Sequence, residues 1–289
     1  IKQQIIRRIC NMTEISAEMV KQLRMATNVS MMECKKALTD ANGDMEKAMR
    51  ILRERGVSLA AKKASRATNQ GLIASYADLD GKFASLVEVN CETDFVARNA
   101  VFQTFAKEAA KKAAQTDGQL SEEMKNDIIA KITEIGENIT IRRNMRYQLQ
   151  GTGFIGAYIH LGGKLGVLAE IGCSKQETTT RAEFRDFVKD ITLQIAASKP
   201  LYKEPSEIPQ EVIKSEREIY AKQIQNKPAN VIEKIVDGKM RKYYEETCLL
   251  MQPFVKEPKQ TVAQVKEIVE KSIADSITIR RFVIYQLGA

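Results

Sequence analysis

Few side chains in this sequence are of types, and at spacings, that could make or break a covalent bond. Cys91 and Asp94 come nearest to a nucleophile beside an acid. A thiol attacks only as a thiolate, which needs a base or a cation beside it. His160 is the only histidine and lies in a distant segment. No G-x-x-x-x-G-K-[ST] loop is present to cradle phosphates, and no G-x-S-x-G elbow to present a serine. Gly162-Gly163-Lys164-Leu165-Gly166 is glycine-rich but sits between two strand-like runs, where it reads as a hairpin turn. A single histidine excludes a multi-histidine metal site. The cysteines, Cys10, Cys34, Cys91, Cys173 and Cys248, are far apart with no C-x-x-C pair. They suit a reducing cytosol as buried apolar residues, not a zinc site or a disulfide framework. Glu88 and Glu170 read as strand-face residues or as partners for basic side chains. The expectation is a protein that is not an enzyme and holds no metal or cofactor.

Binding chemistry remains, and it centres on Val89–Phe105, VNCETDFVARNAVFQTF. Leu86, Val87, Val89 and Cys91 form an apolar run fit for a buried strand. Ala100–Ala114 is amphipathic, with Phe102, Phe105, Ala106, Ala109, Ala110 and Ala113 at helical spacing, and Asn99 is placed to cap it. Glu92–Arg98 is then a crossing loop that carries Thr93-Asp94-Phe95-Val96-Ala97. Either Phe95 and Val96 fold back to plug the core, with Asp94 as a turn residue, or a rigid scaffold holds them out for a partner.

An internal repeat shows what positions this loop. Gly71–Cys91, GLIASYADLDGKFASLVEVNC, matches Gly153–Cys173, GFIGAYIHLGGKLGVLAEIGC, position for position at a constant offset in numbering. The same offset pairs Phe102 with Phe184 and Phe105 with Phe187. Each copy reads as a β-hairpin followed by a helix. Ile139-Thr140-Ile141-Arg142-Arg143 recurs at a larger offset as Ile277-Thr278-Ile279-Arg280-Arg281 and supplies a third strand. The difference between the two offsets implies about 56 further residues before the last strand of the second copy, roughly Leu201–Lys256. Within them, Pro209–Gln225 and Ala229–Glu246 are charged helical stretches broken at Asn226-Lys227-Pro228. Val212, Ile219 and Ile224 are placed to face Val231, Ile232, Ile235 and Met240, giving an antiparallel helical hairpin at about 207–251. In the second copy the slot of the loop is Lys175-Gln176-Glu177-Thr178-Thr179, polar throughout. Folding of the unit does not require Phe-Val there, which favours the partner role for Phe95.

The N-terminal part is separate. Ser16–Ala61 reads as three helices: Val20 and Leu23 on the first, Cys34, Ala37, Leu38 and Ala41 on the second, Ala48, Ile51 and Leu52 on the third. Ser30-x-x-Glu33 is a capping box for the second, and Gly56 marks the end of the third. The pattern resembles a ubiquitin-associated-type fold. Met31 and Met32 are adjacent and point about 100° apart on a helix, so one can enter the core while the other meets a partner. Residues 62–70 read as a linker and residues 1–12 as a disordered tail. The fold class is α+β: residues 13–61 as the three-helix module, 71–150 as core repeat 1 and 151–289 as core repeat 2 with the inserted hairpin. The net charge of +8 is concentrated before residue 71. It can steer an acidic partner, or bind nucleic acid with help from Arg142-Arg143 and Arg280-Arg281. Few aromatics and no tryptophan argue against a base-stacking platform.

NCETDFVARNAVF resembles the most characteristic motif of the elongation factor Ts family, the nucleotide exchange factors of elongation factor Tu. Leu23-Arg24, Thr27 and Met31-Met32-Glu33-Cys34-Lys35-Lys36-Ala37-Leu38 resemble its N-terminal signature. Gly136-Glu137-Asn138-Ile139, Ala196-Ala197-Ser198-Lys199-Pro200 and Gln252-Pro253-Phe254 resemble further family segments, in the family's order. The resemblance runs from about Thr13 to the C-terminus, where the chain stops at Leu287-Gly288-Ala289 without the further helix of some relatives. It implies binding to elongation factor Tu, release of GDP and rebinding of GTP, with no specific nucleic acid, no membrane and a bacterial-type cytoplasmic setting rather than an organellar one. It further implies that Thr93, Asp94, Phe95, Val96 and Ala97 displace magnesium in the partner, with Phe95 as wedge. By the same resemblance Arg24, Met31 and Met32 touch the GTPase domain, and His160 touches another partner domain. The hairpin is left open to a homodimer contact, to regulation or to partner contact.

Overall fold

A computed structural model describes residues 15–224 and 228–289. The tail expected at residues 1–12, and Asn226 and Lys227 of the expected helix break, lie outside the described residues. Three helices come first: α1 (Ala17–Thr27), α2 (Met31–Asp40) and α3 (Met45–Lys63). Ser16, Ser30 and Asp44 cap them through side-chain oxygens that accept backbone N–H groups. Leu23, Cys34, Ala37, Leu38, Ala48 and Leu52 form their core. The capping box is only half made. Ser30 accepts from the N–H of Glu33 at 3.4 Å, while the Glu33 carboxylate turns outward to Lys36 and Arg55.

Gly56 does not end α3. The helix runs through it to Lys63, and Gly56 lies directly against Ile129 and Thr133 of α7 (Lys125–Ile135). A Cβ on Gly56 would stand 2.6 Å from Thr133 Oγ1. Tertiary packing thus overrides the glycine's poor helix propensity.

Each repeat is a three-stranded antiparallel sheet with helices on its outer face. The first sheet has β1 (Gln70–Ala77), β2 (Phe83–Cys91) and β3 (Ile139–Gln148) in order β1-β2-β3. It is covered by α5 (Ala100–Ala113), α6 (Leu120–Glu123) and α7, with a single helical turn, α4 (Asp94–Ala97), between β2 and α5. The second sheet has β4 (Gly153–His160), β5 (Leu165–Cys173) and β8 (Ile277–Gln286) in order β4-β5-β8, covered by α8 (Ala182–Ser198) and α11 (Val262–Ile273). Between α8 and α11 lie α9 (Gln210–Lys222), α10 (Ala229–Thr247) and a small ladder of β6 (Pro253–Phe254) and β7 (Glu257–Thr261) that periodicity did not suggest. Val236 and Met240 are buried within the inserted segment. Ile219, expected to face α10, is exposed instead.

The two sheets pack face to face. Ile73, Ala84, Leu86 and Tyr147 of the first meet Ile155, Leu168 and Tyr285 of the second in one core. Alternate residues of the central strands, Val87 and Val89 or Val167 and Ala169, face the helices. The hairpin turns lock the halves reciprocally. Gly163 O accepts from Ile73 N at 2.7 Å, and Gly81 O accepts from Ile155 N at 2.9 Å. Both glycines have positive φ, and a Cβ on either would strike Phe154 or Leu72 of the opposite unit.

Each sheet carries the same bulge, after Glu88 and after Glu170. Arg142 and Arg280 are the extra residues on β3 and β8, so two consecutive arginines reach one glutamate. Glu88 accepts from Arg142 at 3.2 Å and Arg143 at 2.7 Å; Glu170 accepts from Arg280 at 3.2 Å and Arg281 at 2.7 Å. The four arginines on which the alternative of nucleic-acid binding depended are engaged with these fully buried carboxylates.

Candidate functional site

The stretch after β2 is not an open loop. Thr93 stops the strand and caps α4, its hydroxyl accepting from Val96 N at 3.3 Å. Glu137, in the corner between α7 and β3, accepts from Glu92 N and Thr93 N, both at 3.0 Å, and from the Thr93 hydroxyl at 2.6 Å. Glu92 in turn accepts from Asn138 N at 2.6 Å and pairs with Arg66 at 3.4 Å. The Asn138 N–H and the Arg66 charge hold the Glu92 carboxyl below its usual range. Asp94 pairs with Arg98 one turn on, at 3.2 Å. Asn99 then caps α5 by accepting from Val101 N at 2.8 Å.

This anchoring sorts the side chains of the turn. Ala97 is buried, Val96 is half-buried against the core of the first unit, and Phe95 is 82% exposed. Phe95 is therefore not a core plug; Val96 and Ala97 take that role in part. An exposed phenylalanine on a turn with so many fixed partners is a rigid apolar projection. The matching segment of the second unit, a 3-10 turn at Gln176–Thr180, instead buries Thr178 and Thr179.

Cys91 is no nucleophile. Burial, with the nearby Glu137 charge, pushes its thiol up to about 12, so it stays protonated and donates to Thr93 O at 3.2 Å. His160 is exposed at the end of β4, where Nδ1 meets the Tyr158 hydroxyl at 3.0 Å. Among the described residues, no cluster of histidine, cysteine and carboxylate side chains could hold a metal ion.

Arg24 stands in the last turn of α1, and Met31 and Met32 open α2. Both methionines are exposed, so neither enters the core as the 100° offset suggested. Met25, on α1, is exposed as well, and its position in the sequence did not single it out. The structure keeps Arg24 on α1, Met31 and Met32 on α2, Phe95 on α4 and His160 on β4, and no hydrogen bond among the described residues links these side chains. Glu137 was missed as a functional candidate, although the numbering offset that relates the two third strands also sets it opposite Asp275.

The family model described as elongation factor TS matches residues 92–289, opening at the start of the anchored turn. The chain belongs to the elongation factor Ts family. Its sequence is 42% identical over 276 residues to elongation factor Ts of Nitratidesulfovibrio vulgaris strain DP4, covering 95% of this chain and 96% of that protein. It is 43% identical over 286 residues to elongation factor Ts of a Nitratiruptor species, covering 95% and 93%. The corresponding protein of Clostridium perfringens strain ATCC 13124 is 40% identical over 287 residues, with the same coverage of 95% and 93%. Elongation factor Ts relatives at this coverage make the chain a translation elongation factor, and its α+β architecture of N-terminal helices and small antiparallel sheets fits that family. These relatives are bacterial, and no described helix is long and apolar enough to cross a membrane.

Proposed function

We propose that this elongation factor Ts family member binds elongation factor Tu and accelerates release of its GDP, allowing GTP to rebind, without covalent chemistry of its own. The observation that carries the reading is Phe95, 82% exposed on a turn pinned by Glu137. Phe95 is the wedge that enters between side chains of the GTPase. Thr93, Asp94, Val96 and Ala97 give the wedge its shape, and its entry displaces the magnesium that bridges the phosphates of GDP to the partner. Arg24, Met31 and Met32 hold the GTPase domain through a second, adaptable contact, and His160 meets another domain of the partner.

The energetics are those of linkage. A factor that prefers the nucleotide-free GTPase weakens nucleotide binding by the same ratio by which nucleotide weakens the factor. Two contacts on one chain raise affinity more than either alone, so one contact can serve to distort the nucleotide site. The test is release of fluorescent GDP from the cognate elongation factor Tu, with and without this protein. Acceleration that saturates with a stoichiometric complex is expected. An unchanged release rate at saturating protein overturns the reading.

A further inference from the structure

We infer that Glu137 is a positioning residue for the exchange turn: its carboxylate fixes the Thr93 hydroxyl that caps the turn carrying Phe95. The inference rests on the exchange reading above.

The corner Gly136–Asn138 gathers more contacts than a strand entry needs. Gly136 ends α7 at positive φ, and its carbonyl accepts from the ammonium of Lys63, at the last residue of α3. Asn138 donates through its side chain to Arg66 O at 2.9 Å and through its backbone to Glu92 at 2.6 Å. Between them, Glu137 takes both N–H groups that lead into α4. One corner thus receives the end of the helix that carries the N-terminal module and the start of the turn that carries Phe95. The second unit separates the general part of this arrangement from the special part. Asp275 stands at the place of Glu137, accepting from Ser174 N at 3.3 Å, Lys175 N at 3.0 Å and the Thr178 hydroxyl at 2.6 Å. A carboxylate that ties strand end to corner is therefore a property of the repeat. Only in the first unit does the bound hydroxyl belong to the N-cap residue. Because Thr93 Oγ1 donates its proton to Glu137, its lone pairs are left for Val96 N. The carboxylate thereby orients the cap, and the cap orients Phe95.

The two carboxylates provide their own control. Glu137→Gln and Asp275→Asn each remove one anchor charge, but only the first acts on Phe95. In the GDP-release assay, Glu137→Gln is expected to lower the rate at saturating protein by roughly tenfold, with the half-saturating concentration moved less than about twofold, since misplacing a reacting group costs rate rather than binding. Asp275→Asn is expected to leave the saturated rate unchanged. A merely structural role predicts that both variants lower the melting temperature while folded molecules of each exchange alike, and that result overturns the inference. The chain has no tryptophan, so Phe95→Trp supplies a reporter that needs no partner. Its fluorescence anisotropy is expected to fall when Glu137→Gln is added and to stay constant with Asp275→Asn; equal anisotropy in all three overturns the inference. Should Glu137→Gln fail to fold, Glu137→Asp, which keeps the charge and withdraws it by one methylene, carries both measurements with the same outcomes. Failure of the unsubstituted protein to accelerate GDP release sinks the exchange reading instead, and the anisotropy series still decides whether Glu137 orients residue 95.

Discussion

Glu88 and Glu170 hold the same register position in the two sheets, opposite Ile73 and Ile155, and both are fully buried. Each is tied to the other unit as well as to its own arginines. Gly288 N donates to Glu88 at 3.1 Å, and Gln150 N donates to Glu170 at 2.8 Å. Arg143 reaches Gln286 O and lies 4.3 Å from the Tyr285 ring centroid, while Arg281 reaches Gln148 O and lies 4.2 Å from that of Tyr147. This reciprocal bracing ties the two repeats together through their buried carboxylates.

Breaking the brace has a pH signature. Burial alone raises the Glu88 carboxyl, but the Gly288 N–H and the two arginines outweigh it and leave it below the ordinary value of 4.5. A depressed folded pKa means that the stabilisation is complete above the unfolded value and is lost as pH falls through the folded one. Glu88→Gln is expected to cost about 1–3 kcal/mol at neutral pH, since the fully buried side chain loses its charge-assisted bonds to Arg142 and Arg143, whose guanidinium groups are themselves partly solvated. It should also flatten the loss of stability below pH 4.5. Urea titrations of both proteins from neutral to acid pH check this; parallel pH profiles contradict it.

The crossing of α3 over α7 depends on the missing side chain at Gly56. Gly56→Val is expected to destabilise by about 1–3 kcal/mol through overpacking. Adding Thr133→Ala, which removes the oxygen 2.6 Å from the new Cβ, should recover part of that loss. Urea denaturation of the single and double variants measures the coupling, and strictly additive effects argue against a contact at this point.

The helical insertion is expected to be separable, within limits that the packing sets. Leu249 and Phe254 belong to the core of the second unit, whereas Val236 and Met240 do not. Replacing residues 211–244 with a short glycine-serine linker is expected to reduce helical circular dichroism while the rest unfolds cooperatively near its original temperature. The wider cut at 207–251 removes Leu249, and loss of a buried leucine costs about 2–5 kcal/mol. Equal melting temperatures for the two deletions contradict this boundary.

The architecture was legible where a pattern repeated. The constant offset between the two copies exposed both sheets because each unit must bury the same alternation on a helix face and a sheet face. What escaped depended on single contacts. Asp94–Ala97 is one turn, too short to show a helical period, so it read as loop. Gly56 read as a helix end because its reason for being glycine lies in Thr133, remote in sequence. Ser30 and Glu33 have the spacing of a capping box, but Arg55 and Lys36 draw the glutamate away. Phe95 was the informative success: the polar slot at Lys175–Thr179 indicated that no phenylalanine is needed inside, and it lies outside.

Whether Phe95 acts as an exposed wedge is tested most directly by measuring melting temperature and stimulated GDP release on the same Phe95→Ala protein. Surface truncations usually change stability by less than about 0.5 kcal/mol, so the melting temperature should hold while GDP release slows sharply. A melting temperature lowered by the loss of a buried ring, about 3–5 kcal/mol, with normal exchange by the remaining folded molecules, contradicts the wedge.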